Sequence, residues 1–134
     1  MNFIEVTDNK ILTDFYKNCK MEIEDDWVKL MNPIRSIGCI ENGKIICAAT
    51  ISKRFNKTIL DYIGVDKSLR GKGLGKELLE QILKNENEVY ICAKNQGFFK
   101  SQGFIETEDS DLIKECLYCP QFNKNCFPRI MKRG

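Results

Sequence analysis

The glycine-rich segment at 69–76, which reads LRGKGLGK, constrains the fold of this chain more than any other stretch. It follows the apolar run TILDYIGV at 58–65, which is typical of a strand. It leads into the amphipathic stretch GLGKELLEQILK at 73–84, which predicts a helix. Glycine lets backbone amides approach a ligand, and the first amides of a helix lie unpartnered at the positive end of its dipole. This order therefore predicts an anion site, most naturally for phosphate.

Basic residues accompany these glycines, namely Arg70, Lys72 and Lys76. The alternative interpretation is a plain turn with solvated lysines, but the strand before and the long helix after favour phosphate. Two common phosphate motifs do not fit. A Walker loop would need glycine in place of Arg70 and serine or threonine in place of Glu77, and the dinucleotide fingerprint would need glycine in place of Lys76.

Periodicity and turn signals predict strands and helices along the rest of the chain. Strands are expected at 2–8, on both sides of Asn42-Gly43 within 35–54, at 88–93 and at 103–107, and helices at 9–20, before Pro33 and at 96–102. The first helix is expected to carry Ile11, Leu12, Phe15 and Tyr16 on one face. The segment 108–131 has little regular pattern, and we expect only a final strand at 126–131.

The length of 134 residues predicts a single domain over 1–134, and 43% hydrophobic with 30% charged residues is ordinary for a globular protein. The sequence starts without the features of a signal peptide, and no stretch reaches the apolar length of a membrane span. We therefore expect a cytoplasmic monomer or homodimer that binds no membrane. A net charge of +2, with lysines spread along the chain, gives no reason to expect nucleic acid as a partner.

Histidine is absent, which excludes the serine and cysteine triads that use it and every histidine-containing metal site. The seven cysteines do not predict a disulfide framework in a chain without an export signal. Cys39, Cys47 and Cys92 lie in apolar runs, where a thiol behaves as a small buried hydrophobe.

Two blocks of the sequence resemble the GCN5-related N-acetyltransferase (GNAT) family. The family's loop pattern, Arg/Gln-x-x-Gly-x-Gly/Ala, fits Arg70-Gly71-Lys72-Gly73-Leu74-Gly75 at every fixed position. The family's aromatic pair closing on Gly-Phe appears as Phe98-Phe99-Lys100-Ser101-Gln102-Gly103-Phe104. The resemblance covers roughly 35–107. It implies an α/β (α+β) fold with a mixed, mostly antiparallel sheet of six to seven strands, flanked by helices and splayed after the strand that precedes the loop.

The resemblance also implies acetyl-CoA as co-substrate and transfer of its acetyl group to a primary amine by direct attack in a ternary complex. The acceptor would be a small-molecule or peptide amine. Pantetheine would pair with backbone groups of Ile63 and Val65, and Phe99 would lie beside the cofactor. The loop residues that would hold the pyrophosphate are Arg70, Gly71, Lys72, Gly73, Leu74, Gly75 and Lys76.

The catalytic groups are less defined. Many relatives carry a tyrosine as general acid where this chain has Phe99, so a non-catalytic acetyl-CoA-binding or sensing module is the alternative function. A third alternative is a nucleotide-binding regulator that does not bind CoA. Asp61 is the candidate general base, because it is the one acid on the strand before the loop; the alternative is that it faces solvent. Phe98 and Phe99 are alternatively core residues, and for Phe98 we favour this interpretation.

Two further groups have both a functional and a plain interpretation. The acidic residues Glu22, Glu24, Asp25 and Asp26 either line the acceptor site and favour a cationic amine or form a solvated surface. Near the end, Cys116, Cys119 and Cys126 are the alternative candidate for a metal site. They lack an evident fourth ligand, so we expect no metal, and the alternatives are a redox pair, reactive thiols or buried thiols.

Overall fold

A computed structural model describes the backbone of residues 2–117 and 129–134, with the side chains of 115–117 excepted. The chain divides into two compact units, 1–86 and 87–134. Across the described residues, no helix is both long and apolar enough to cross a membrane.

The first unit is an antiparallel sheet of four strands with three α-helices. Its elements are β1 (Ile4–Glu5), α1 (Asn9–Asn18), α2 (Trp27–Met31), β2 (Pro33–Glu41), β3 (Lys44–Arg54), β4 (Lys57–Val65), a 3₁₀ turn (Lys67–Leu69) and α3 (Leu74–Ile82). Each strand pairs with the next in chain order. The strand predicted at 2–8 is much shorter than expected, because β1 spans only Ile4–Glu5. The other predicted elements of this unit are confirmed.

In its described residues, the second unit holds three strands and two helices. Its elements are β5 (Val89–Ala93), α4 (Gln96–Ser101), β6 (Ile105–Glu106), α5 (Ser110–Leu117) and β7 (Arg129–Arg133). Strand β7 lies between β5 and β6 and is antiparallel to both. A final strand is thus confirmed over Arg129–Arg133, and the rest of the predicted range, 126–128, lies outside the described residues. Helix α5 falls in the segment that carried no helix prediction.

Helix α1 begins at a side-chain cap and packs through one face. The Asp8 carboxylate accepts from the amides of Lys10 and Ile11 at 3.0 and 3.3 Å. Leu12 and Tyr16 are fully buried. Ile11, which was predicted on the same face, is 38% exposed. It lies at the edge of the apolar face, with one side of its side chain exposed to solvent.

Aromatic packing joins both N-terminal helices to the sheet. The ring of Tyr62 on β4 stacks on Tyr16 at 5.0 Å between centroids and meets Trp27 edge-on at 5.5 Å. The polar ends of these rings are satisfied, because Tyr16 Oη lies 2.8 Å from Thr50 Oγ1 and Trp27 Nε1 donates to Thr13 Oγ1 at 2.8 Å. This cluster fixes α1 and α2 over β3 and β4.

Two tight turns build the β2–β3–β4 meander. Asn42 and Gly43 have φ of 51° and 78° between the paired residues Glu41 and Lys44, which is the predicted hairpin turn. The β3–β4 turn uses Phe55 and Asn56 in the same left-handed region, at φ of 55° and 57°. A bulky residue is strained there, so the sequence carried no turn signal at that point.

Candidate active site

The loop after β4 has the backbone that an anion site requires. Gly71 and Gly73 have φ of 82° and 79°, in the region that side chains rarely adopt. A Cβ built on either glycine meets no atom within 4 Å among the described residues. The space over this backbone is therefore open, and a phosphate group fits where a side chain would otherwise stand.

Helix α3 presents its N-terminus to the same space. Gly73 is the N-cap, and the first hydrogen bond back to it comes from the Glu77 amide at 3.2 Å. The amides of Leu74, Gly75 and Lys76 precede that bond, so they lack a carbonyl partner within the helix. The helix dipole and the exposed Lys72 and Lys76 make this end electropositive. The geometry agrees with the predicted pyrophosphate site, and the contacts themselves stay a prediction.

Some residues of strand β4 direct their backbone groups away from β3. The Asp66 amide donates to the Ile46 carbonyl at 2.8 Å, so Asp66 and Gly64 point their backbone groups at β3. The alternating residues Ile63 and Val65 therefore direct theirs to the edge away from β3, as pantetheine pairing would need. The Val65 carbonyl accepts from Arg70 Nε at 3.1 Å, which ties the loop to the end of the strand.

Asp61 occupies a bulge in this strand. Tyr62 lies opposite Thr50, whereas Leu60 lies opposite Ile51, so Asp61 is the extra residue. Its carboxylate forms a two-point ion pair with Arg54, with N–O distances of 2.7 and 2.9 Å. The two side chains are only 10% and 11% exposed. The interpretation that Asp61 faces solvent is wrong; its role as general base stays a prediction.

Arg54 is a residue that the sequence interpretation missed. Its guanidinium also donates to the Met31 carbonyl at 2.7 Å, at the end of α2. Beside it, Asn32 Nδ2 donates to the Lys53 carbonyl at 2.8 Å. The sequence did contain a signal for this ion pair. An arginine ends one strand of the hairpin, and the sole acid of the next strand, Asp61, follows seven residues later. The ion pair links β3, β4 and α2.

The aromatic block lies in the second unit. Phe99 is 5% exposed and packs edge-on against Phe104, with ring centroids 5.5 Å apart. Phe98 is half-buried and packs edge-on against Phe99, with ring centroids 5.1 Å apart. Asn95 Oδ1 caps α4 by accepting from the Phe98 amide at 3.2 Å. The core interpretation therefore fits Phe99, whereas Phe98, for which it was favoured, is only half-buried. The contact of Phe99 with the cofactor stays a prediction.

A cleft of about 570 Å³ lies in the first unit, between the end of α1, the β2–β3 hairpin and the turn after β4. Phe15, Cys19 and Lys44 line it together with Arg70 of the glycine loop. Burial raises the pKa of the Cys19 thiol, while the nearby Arg70 opposes that rise. Gly64 lets α1 close on β4, since a Cβ there would lie 3.1 Å from Cys19 Sγ.

The acidic segment between α1 and α2 is exposed. Asp25 pairs with Lys17 across this surface, and that bond lowers the pKa of the Asp25 carboxyl. Ile23 anchors the segment in the core at 9% exposure. The exposure of Asp25 agrees with the interpretation of this segment as a solvated surface. A role of the segment in acceptor recognition stays a prediction.

The cysteines whose side chains are described form no disulfide. Cys39 and Cys47 are buried opposite each other on β2 and β3, as expected, and burial raises the pKa of Cys47 to about 12. Cys92 is only half-buried. Among the described side chains no three potential ligands are grouped to hold a metal ion. The three candidate tail ligands, Cys116, Cys119 and Cys126, lie outside the described side chains, so that expectation is untested.

Comparison with known proteins decides the family. The sequence model of the acetyltransferase (GNAT) domain matches residues 34–106, more than half of the chain and including the glycine loop. The chain belongs to the GNAT family. The resemblance proposed from the two sequence blocks is thereby confirmed.

A curated relative is an uncharacterised N-acetyltransferase of Chlorobaculum tepidum, 30% identical over 89 residues. The match spans 59% of this chain and little more than half, 57%, of that relative.

Solved GNAT structures share the fold over nearly the whole chain. A GNAT acetyltransferase of Staphylococcus aureus is 21% identical with a TM-score of 0.70, covering 98% of this chain and 97% of that one. A GNAT acetyltransferase of Elizabethkingia anophelis with acetyl-CoA bound is 15% identical with a TM-score of 0.72, covering 98% and 96%. The predicted mixed α+β GNAT fold is confirmed; the predicted splay beyond β4 stays a prediction.

Proposed function

We propose that this GNAT chain transfers an acetyl group from acetyl-CoA to a primary amine, by direct attack within a ternary complex. The observation that carries the proposal is the glycine loop. Two left-handed glycines, open space above them and the free N-terminus of α3 lie at the end of β4. Such an arrangement suits a diphosphate, as in the CoA moiety.

The remaining cofactor contacts follow the strand. Pantetheine would pair with the backbone groups of Ile63 and Val65 that point away from β3, and the thioester would then lie toward the bulge at Asp61. The S. aureus and E. anophelis structures support this by their fold, and the latter contains acetyl-CoA.

The chemistry asks little of individual side chains. A thioester is already activated, so the protein must orient the amine, accept its proton and stabilise the oxyanion with backbone amides. A chain without histidine can do this. Asp61 is the proposed proton acceptor from the sequence, but its two oxygens already accept from Arg54, so an amine would have to compete with a guanidinium.

A non-catalytic acetyl-CoA-binding module is the second candidate. It is favoured by Phe99, which brings no hydroxyl to donate, and by the pairing of Asp61. Under either function the acceptor or partner is unidentified, and the cytoplasmic location and oligomeric state stay predictions.

The test has two stages. Acetyl-CoA at millimolar concentration should raise the melting temperature of the purified protein, because a ligand that binds only the folded state stabilises it. Free thiol release against a panel of small and peptide amines should then detect turnover. No melting shift would reject both candidates; a shift with no release for any amine would favour the binding module.

A further inference from the structure

We propose that Arg54 and Asp61 are positioning residues, whose ion pair holds the β4 bulge and thereby decides which backbone groups of β4 face acetyl-CoA. The inference rests on the proposed function, because it assigns a task within the same cofactor site.

The bulge sets the alternation of the strand. From Tyr62 onward, each residue of β4 lies opposite a different β3 residue than the pairing of Leu60 with Ile51 would give if it continued. That β3 residue is one position further along the chain. Without the extra residue, Ile63 would lie opposite Ala48 instead of Ala49. The backbone groups of Ile63 and Val65 would then point at β3 instead of the cofactor edge, since a one-residue slip reverses the alternation.

The ion pair sits at the extra residue itself. Asp61 is the sole acid on β4, and its two oxygens face the two terminal nitrogens of Arg54 at 2.7 and 2.9 Å. Both side chains are about nine-tenths buried. Returning Asp61 to the regular pleat would separate the two charges. The largely buried guanidinium of Arg54 would then lack its carboxylate partner, which is unfavourable.

A third bond gives the pair a fixed reference. Arg54 also donates to the Met31 carbonyl, and Asn32 donates to the Lys53 carbonyl next to it. The bulge is thus held against the end of α2 as well as against β3. A planar guanidinium is suited to this three-way contact, whereas a lysine offers only a point charge.

This role and the role of a base make different demands on Arg54. A general base would keep its function when Arg54 is removed, and would lose it when Asp61 is exchanged for asparagine. A positioning pair fails in the same way when either partner is changed, and charge reversal of both restores it in part.

The test measures acetyl-CoA affinity by calorimetry and β4 register by NMR. Ala49 and Ile63 are a non-hydrogen-bonded pair, so their Hα atoms lie close and give a strong NOE. The variants are Arg54→Met, Asp61→Asn, the swap Arg54→Asp with Asp61→Arg, and Arg54→Lys in case Arg54→Met does not fold. The matched control is Arg35→Met, which breaks the exposed two-point pair of Arg35 with Glu5 on β2 and β1.

We expect either single change at the bulge to weaken acetyl-CoA binding by about tenfold or more and to weaken the Ala49–Ile63 NOE, with the swap regaining part of both. The control should match the wild type. Wild-type affinity and NOE in Arg54→Met, or in Arg54→Lys where only that variant folds, would overturn the proposal. So would an Asp61→Asn variant that binds normally and only loses turnover. If the wild type binds no acetyl-CoA the proposed function fails, while the NOE still tests whether the pair holds the bulge.

Discussion

The guanidinium of Arg70 donates to the carbonyl of Val65 at 3.1 Å, so the residue that opens the glycine loop is bonded to the last residue of β4. The bond aligns a strand edge and a helix N-terminus, the two parts of the proposed cofactor site, on one short segment. Arg70 also lies beside the Cys19 thiol, where its charge and a hydrogen bond oppose the rise in the Cys19 pKa that burial causes.

Replacement of Arg70 should weaken cofactor binding. Arg70→Ala removes both the bond to Val65 and a positive charge beside the loop, and we expect a loss of about tenfold in acetyl-CoA affinity. Arg70→Gln keeps a donor and should lose less. Calorimetric titration checks this, and equal affinity for the wild type and Arg70→Ala would contradict it.

Valine at Gly73 should abolish the acetyl-CoA melting shift. The substitution puts a β-branched side chain in a left-handed residue and in the open space above the loop. Gly43→Val is the matched control, because Gly43 has φ of 78° and similarly open surroundings in the hairpin turn. Both variants should lose comparable stability in the absence of ligand. A melting shift retained by Gly73→Val would remove the loop from the binding site.

Loss of Arg54 should cost stability as well as affinity. Arg54→Met leaves Asp61 charged and largely buried without its partner, at a cost of about 3 kcal/mol in the free energy of unfolding. Arg35→Met breaks an exposed pair and should cost less than about 1 kcal/mol. Urea denaturation followed by circular dichroism measures both. Equal costs for the two arginines would show that burial does not distinguish the pairs.

Alkaline pH should unfold the protein partly through its buried thiols. Burial raises the pKa of Cys47 to about 12, above the ordinary thiol value near 9. Below pH 9 the Cys47 thiol keeps its proton in both the folded and the unfolded state, so its full contribution to stability is present. Above it the unfolded state releases the proton first, so stability falls as pH rises from about 9 to 12. Cys47→Ala should flatten the urea midpoint over that range relative to wild type, and an unchanged slope would count against a buried, neutral Cys47.

The cysteines of the C-terminal segment are expected to bind no stoichiometric metal. Cys116, Cys119 and Cys126 lack an evident fourth ligand, and the chain has no histidine to supply one. Elemental analysis of protein purified without chelator should find well under one equivalent of zinc. One equivalent, lost from a Cys119→Ser variant, would establish a metal site instead.

Local signals explain what the sequence predicts correctly. Asn42-Gly43 supplies two left-handed residues and fixes the first hairpin, and the apolar stripe of α3 through Leu74, Leu78 and Ile82 is buried as its spacing requires. The second hairpin turn escaped prediction, because Phe55 is an unfavourable residue for the conformation it adopts.

Pairings between distant residues explain the rest. Asp61 was recognised as an unusual acid within an apolar strand, but its partner depends on the β3–β4 register and on a bulge that no spacing reveals. Ile11 matches the helical period, yet only the packed helix shows that it lies at the rim. Phe98 and Phe99 are adjacent and chemically identical, so their depths are decided by the contact with Phe104.

The aromatic cluster gives this protein a built-in optical reporter. Trp27 is the single tryptophan of the chain, fully buried on α2 with its ring edge against Tyr62 of β4. Its fluorescence therefore arises from one place, beside the strand that carries the bulge. Lifting of α2 would admit water to the indole and move its emission to longer wavelength, so a simple emission spectrum follows this contact during ligand titration or unfolding.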